Sequence, residues 1–159
     1  MFDQLGQGCL DVVSSDHNAY ERASKQTENW WDSAFGANSL QTSFLVFHDE
    51  AVNERGYSYP FVVRAMSATP ARLFGLPEKG SLQPGTDADI VLFDPSESYR
   101  IDAEDNASNA DYSLHNGREV TGRVEKTFVR GELVAEDGEI VGDPGHGVFV
   151  ERDRPDWSS

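Results

Sequence analysis

Apolar and polar positions change their rhythm partway along this chain. From Leu10 a brief β-branched run, Leu10-Asp11-Val12-Val13, gives way to Ser14-Ser15-Asp16-His17, which predicts a strand over Leu10 to Ser14 with a polar mouth. Residues Glu21 to Trp31 are polar and mixed except for Trp30 and Trp31, and they predict a loop with a helical turn. Phe35 to Gln41 predicts a second loop, in which Gly36 allows the backbone to approach something closely. Ser43 to Glu54 then carries Phe44, Leu45, Phe47, Ala51 and Val52 near helical spacing, and Arg55-Gly56 stops that helix. Tyr59 to Ser67 reads as a second helix with Phe61, Val62, Ala65 and Met66 on one side. Thr69-Pro70 predicts the start of a third, short helix through Phe74, with threonine as cap and proline at the first turn.

Beyond Gly80 the pattern is of strands and turns: Ile90 to Phe93, Ser98 to Ile101, Arg118 to Arg130, Glu132 to Ala135 and Glu139 to Val141. Arg130-Gly131 and Asp137-Gly138 suit tight hairpins, because glycine accepts positive φ. Asp102 to Ala110 is an acidic, uneven loop, and the end of the chain is rich in glycine, proline and charge. The expected division is a helix-rich part over 1–76, a strand-rich part over 77–142 and a surface tail over 143–159. Neither main part is self-sufficient on this reading, since the Leu10 to Ser14 strand has no neighbour in sequence to pair with.

Charge narrows the picture. Twenty-eight acids against 13 bases give a formal net charge of -15, so the surface should repel nucleic acid and anionic membranes. Lys25, Lys79 and Lys126 are the only lysines, and such acid-rich, lysine-poor surfaces suit a protein of halophilic type that stays soluble in high salt. Cys9 is the single cysteine, which rules out an intrachain disulfide and a cysteine-based zinc knuckle and leads us to expect a cytoplasmic protein. No apolar run approaches the ~18 to 20 residues of a membrane span.

Asp16 is the leading candidate for chemistry. A carboxylate just past the end of a buried strand sits where α/β barrels assemble active sites, and it can both ligate a metal and accept a proton. Taken alone, Ser14-Ser15-Asp16 fits a turn or a helix cap better. His17 beside it reads as a hydrogen-bonding neighbour of a functional carboxylate, and Ser15 goes with it. His48 falls on a predicted helix, and His115 and His146 fall in polar loops. None has a partner at zinc-binding spacing, so surface positions are expected for all three. Asp87, Asp89 and Asp94 lack the glycine and terminal glutamate of a calcium loop and read as turn formers.

The order Gly80-Ser81-Leu82-Gln83-Pro84-Gly85-Thr86-Asp87-Ala88-Asp89-Ile90-Val91-Leu92-Phe93-Asp94 is more particular than a turn and a strand require. It resembles the junction where cyclic amidohydrolases of the dihydropyrimidinase, hydantoinase and allantoinase group leave a catalytic barrel for a small β-domain. Ser15-Asp16-His17, Thr69-Pro70-Ala71-Arg72-Leu73-Phe74-Gly75-Leu76, Asp111-Tyr112-Ser113, Gly117 to Gly122 and Thr127 to Glu132 match the same group in the same order. The resemblance implies an α/β plus β fold: the last strand and helices of a metal-dependent (β/α)8 barrel, then part of a small β-sandwich. It implies that Asp16 ligates one of two zinc ions and shuttles a proton in hydrolysis of a cyclic amide. It also implies that the main chain of Phe35, Gly36 and Asn38 holds that small molecule; a helix-entry loop describes those residues equally well. Hydantoinase or dihydropyrimidinase is the nearest likeness, with allantoinase next, and the group often forms homotetramers.

One departure qualifies this. The His-x-His pair, the carboxylated lysine and two further histidines of the group would all lie before Met1. The expectation is therefore a portion of an enzyme that is inactive alone. The alternatives are a subunit of a split amidohydrolase completed by a separate chain, or a noncatalytic oligomerisation module.

Overall fold

The apolar run around Phe44 and Phe47 forms a helix, and in the computed structural model, which describes residues 1–155, it begins a little earlier than expected. Helix α2 (Leu40–His48) runs without a break into a π-helical turn, Asp49–Asn53. The next helix is also continuous, as α3 (Tyr59–Val63), a π-helical segment (Arg64–Ala68) and α4 (Thr69–Leu73). Thr69-Pro70 therefore does not start a helix. Ala68 already has helical angles (φ -66, ψ -49), and no side chain caps this point. Proline is tolerated inside the helix because the wider π turn before it has shifted the hydrogen-bond register, so that its missing N–H costs little.

A short helix that the pattern did not announce, α1 (Phe2–Gly6), lies against these two. Five residues hold no helix by propensity, so tertiary contact must do it. Leu5 is buried with Phe47, Ala51, Phe61, Val62 and Ala65, and the Phe2 ring stacks on Phe47 at 5.7 Å. Each large side chain buried in that cluster contributes about 1.5–3 kcal/mol.

The second half is one antiparallel sheet in the order β1 (Ile90–Arg100), β2 (Glu119–Val129), β3 (Glu132–Glu136), β4 (Glu139–Ile140). Both hairpins turn at the expected pairs, with positive φ at Arg130 (49) and Gly131 (81) and at Asp137 (51) and Gly138 (89). Ser98 to Ile101 is not a separate strand. Ile90 to Arg100 is one element that pairs with β2 over Ile90 to Asp94 and again over Ser98 to Arg100, with register shifts between Leu92 and Phe93 and between Asp94 and Ser98, the second where Pro95 has no N–H to give the ladder.

The Leu10 to Ser14 strand does not form either. Val13 gives its N–H to the Ala65 carbonyl at 3.1 Å, and the nearest strand-like pairing is one parallel bridge between His17 and Ala37. A strand exists by virtue of its neighbours, and among the described residues none presents an edge to this stretch. No helix among them is long and apolar enough to cross a membrane.

Helices and sheet meet where α2 crosses β1 and β2, with the Phe44 and Phe93 rings 5.0 Å apart. The described part of the tail folds back toward both halves. Asp153 donates its N–H to the Gly75 carbonyl at 2.8 Å, and His146 pairs with Glu132 at 3.0 Å. Residues 156–159 of the expected tail lie outside the described residues.

Candidate functional site

Asp16 is exposed and stands at the crossing of two loops rather than at a strand end. Its backbone is left-handed (φ 46), a conformation in which aspartate is tolerated but which most residues avoid. Two hydrogen bonds fasten it to the second loop. Ala37 gives its N–H to the Asp16 carbonyl at 3.1 Å, and Asn18 gives its N–H to the Ala37 carbonyl at 3.0 Å. Gly36 makes this approach possible: a Cβ there would stand 2.7 Å from both the Asp16 carbonyl oxygen and Asn18 Cβ, and its φ is +75. Here the expected close approach is real, and its object is Asp16 itself.

Ser15 and His17 hold the same junction from the other side. The Ser15 carbonyl accepts the Ser39 hydroxyl at 3.0 Å. His17 Nδ1 accepts the main-chain N–H groups of Ser39 (3.3 Å) and Leu40 (3.2 Å), which assigns the proton of a neutral ring to Nε2. His17 thus orients the loop that enters α2.

Within that loop Asn38 is 4 % exposed, and both polar atoms of its side chain are bonded. Its amide donates to the Tyr112 carbonyl at 2.7 Å, and its Oδ1 accepts the Ser108 hydroxyl at 3.0 Å. Its own main-chain N–H and C=O have no hydrogen-bond partner among the described residues. A buried residue with an idle donor and acceptor is a place where a ligand can bond. Phe35, by contrast, is 75 % exposed.

A residue the sequence did not single out completes the arrangement. Lys25 Nζ donates to the carbonyls of Ala34 (2.7 Å) and Gly36 (2.5 Å). Nothing in a polar loop marks such a lysine, because its partners are main-chain atoms and carry no sequence signature.

The other histidines do not all lie on the surface. His48 is wholly buried at the seam between α2 and the sheet, with its ring 4.6 Å from Phe93 and stacked 5.6 Å from Tyr59. Neither of its ring nitrogens has a hydrogen-bond partner. Burial pushes its pKa below the usual histidine value, against the opposing pull of the Thr121 backbone, which lies near without bonding the ring, and of the Asp49 carboxylate. Helical spacing put His48 on a helix but could not say that its outer side would meet a sheet. His115 is half-buried and bonded to the Thr42 hydroxyl at 2.9 Å, and burial lowers its pKa too. His146 is half-buried between Glu132 and Arg130.

Among the described residues no three His, Cys, Asp or Glu side chains gather where they could share a metal ion. A zinc ion needs three or four such ligands, so the described residues do not fit a metal centre by themselves. Asp87 and Asp89 both pair with Lys79, at 2.7 and 2.6 Å, and Asp94 accepts from the Ser96 N–H at 2.7 Å.

Comparison with known proteins gives this geometry a context. Residues 3–134 match the model of the Amidohydrolase family. The chain is 51% identical over 147 residues to a D-hydantoinase of Streptomyces coelicolor, covering 90% of this chain and 31% of that protein. It is 37% identical over 155 residues to an L-hydantoinase of Paenarthrobacter aurescens, covering 96% of this chain and 34% of the relative. The crystal structure of a dihydropyrimidinase from Brevibacillus agri superposes with a TM-score of 0.90 at 32% identity, over 97% of this chain and 35% of that one. The chain therefore spans about a third of the length of the relatives it matches.

Proposed function

We propose, since this chain belongs to the amidohydrolase family, that it supplies one wall of a site hydrolysing a cyclic amide of the hydantoin or dihydropyrimidine class. The observation that carries this reading is an exposed carboxylate, Asp16, whose carbonyl is bonded to Ala37, the neighbour in sequence of buried Asn38 with its idle main-chain N–H and C=O. A cyclic amide offers the complementary C=O and N–H side by side, so Asn38 can hold the ring without using a side chain. Asp16 then serves as proton carrier: it accepts the proton of the attacking water and returns it to the departing amide nitrogen.

Enzymes of this type are metal-dependent, and zinc is the ion that the resemblance implies. With a single candidate ligand in Asp16, the metal would have to be held mainly by polypeptide beyond these 159 residues. Two further features support completion from outside. The stretch Asp11 to Ser15 forms no helix or strand, and its one main-chain to main-chain bond among the described residues is from the Val13 N–H to the Ala65 carbonyl, which leaves its backbone open to a neighbouring strand from another polypeptide. Beside it lies a mainly apolar groove of about 250 Å³, lined by Phe2, Leu5, Leu10, Val13 and Phe47 among others, with Ser14 as its polar residue.

The 159-residue chain with added zinc should leave hydantoin and dihydrouracil untouched. The same chain mixed with the first two thirds of a hydantoinase should open the ring, and Asp16→Asn should lower that rate by about 10²–10⁴-fold. Hydrolysis by the chain alone would overturn the reading of an incomplete site. A reconstituted rate indifferent to Asp16→Asn would favour the second reading, a noncatalytic assembly module acting through the same groove.

A further inference from the structure

We propose that Lys25 is the positioning residue of this site: its ammonium, by holding the carbonyls of Ala34 and Gly36, keeps Asp16 in its left-handed conformation and so aims the carboxylate. The proposal deepens the functional reading and rests on it only for the role of Asp16. The geometry stands independently.

The connection runs through main-chain atoms. Residues 24–25 and 33–36 are laced together, since the Ser24 carbonyl accepts the Ala34 N–H at 3.0 Å and the Lys25 carbonyl accepts the Ser33 hydroxyl at 3.2 Å. Lys25 Nζ closes the loop by gripping Gly36 at 2.5 Å. The next residue, Ala37, donates to the Asp16 carbonyl at 3.1 Å, and Gly36 itself packs so closely on that carbonyl that no side chain would fit between them. A shift of Gly36 must therefore move Asp16.

The choice of residue is informative. Of the three lysines in this acidic chain, Lys79 pairs with Asp87 and Asp89, and Lys126 pairs with Glu136. Lys25 alone is directed at neutral carbonyls, where an ammonium offers three rotatable donors and charge-assisted bonds. Two carbonyls on one cation fix a loop limb more firmly than a surface ion pair does. The left-handed backbone at Asp16 costs free energy in isolation and persists only where its surroundings enforce it.

The test is NMR on the complete 159-residue chain without metal or substrate, so that its outcome does not depend on any hydrolytic activity. The Asp16 Cα and Cβ shifts and HN–Hα coupling report its backbone, exchange of the Ala37 amide reports the bond to Asp16, and the Thr121 amide reports the fold. Lys25→Met should move the Asp16 signals out of the left-handed range and speed Ala37 exchange about tenfold or more, since it removes both charge-assisted bonds to the loop. Thr121 should be unchanged, Lys25→Arg should restore part of the effect, and Lys126→Met should show none. Unchanged Asp16 and Ala37 signals in Lys25→Met would sink the proposal. Loss of Thr121 protection together with Ala37 would sink it as well, since the lysine would then hold the whole fold rather than this junction.

Discussion

The Asp49 carboxylate, at the end of α2, accepts the main-chain N–H of Thr121 on β2 at 3.1 Å. Asn53 closes the ring by donating to Asp49 Oδ1 at 3.0 Å and to the Thr121 carbonyl at 2.9 Å, and Arg118 lies 3.5 Å from Asp49 Oδ2. A helix end is thereby bonded to the beginning of a strand through an almost buried carboxylate. Burial alone would raise the Asp49 pKa, but the bonds from Asn53, Thr121 and Arg118 outweigh it and hold the carboxyl below the usual range.

Replacing Asp49 by alanine leaves the half-buried Thr121 N–H without its acceptor and removes a counter-charge from Arg118. The expected loss is about 1–3 kcal/mol, read as a lower urea midpoint, with Asp49→Asn losing less because an acceptor remains. Arg123→Ala removes an exposed pairing with Glu97 and should stay within about 1 kcal/mol of the parent.

Two acid transitions should be separable. A histidine whose folded pKa is lowered binds its proton first in the unfolded chain, so His48 contributes full stability above its ordinary value of 6.5 and a loss that grows as pH falls through the lowered value. Asp49 and Glu50 are lowered carboxylates, the latter through its bonds from Arg118 and Arg55. Their contribution persists above the ordinary 3.8 and 4.5 and is lost only at lower pH. Thermal midpoints taken from pH 8 downward should begin to fall near 6.5. His48→Phe should reduce that first decline and keep the second, with the remainder assigned to His115, whose pKa burial also lowers; a first decline unchanged by the substitution would show that His48 does not contribute to it.

Gly36→Ala places a methyl group 2.7 Å from the Asp16 carbonyl at a φ of +75. Strain of this kind is worth about 1–3 kcal/mol. The expected result is a displaced second loop, with changed amide shifts at Asp16, Asn18 and Ala37 and little change in the sheet. Gly138→Ala is the control, since its turn has open space and only the φ penalty remains.

Salt should stabilise this protein. With a net charge of -15, self-repulsion at low ionic strength opposes the compact state, and raising sodium chloride toward ~1 M shortens the Debye length to about 3 Å. The thermal midpoint should rise with salt. A midpoint that falls would mean that screening of pairs such as Lys126–Glu136 and Arg123–Glu97 matters more than relief of repulsion.

The sequence by itself determined what depends on near neighbours and on order. Arg130-Gly131 and Asp137-Gly138 turn as expected because a tight hairpin needs positive φ, and that need is met within two residues. Kinship to the amidohydrolases was legible because many short matches keep one order from Ser15-Asp16-His17 to Thr127-Phe128-Val129-Arg130-Gly131-Glu132. Tertiary structure decided the rest. Whether Leu10 to Ser14 is a strand, whether His48 meets solvent, whether Thr69-Pro70 opens a helix or lies inside one, and what Lys25 holds were all settled by distant atoms. Backbone preferences act over a few residues and leave a signature in side-chain identity, whereas burial, strand pairing and bonds to main-chain carbonyls depend on what the folded chain brings alongside.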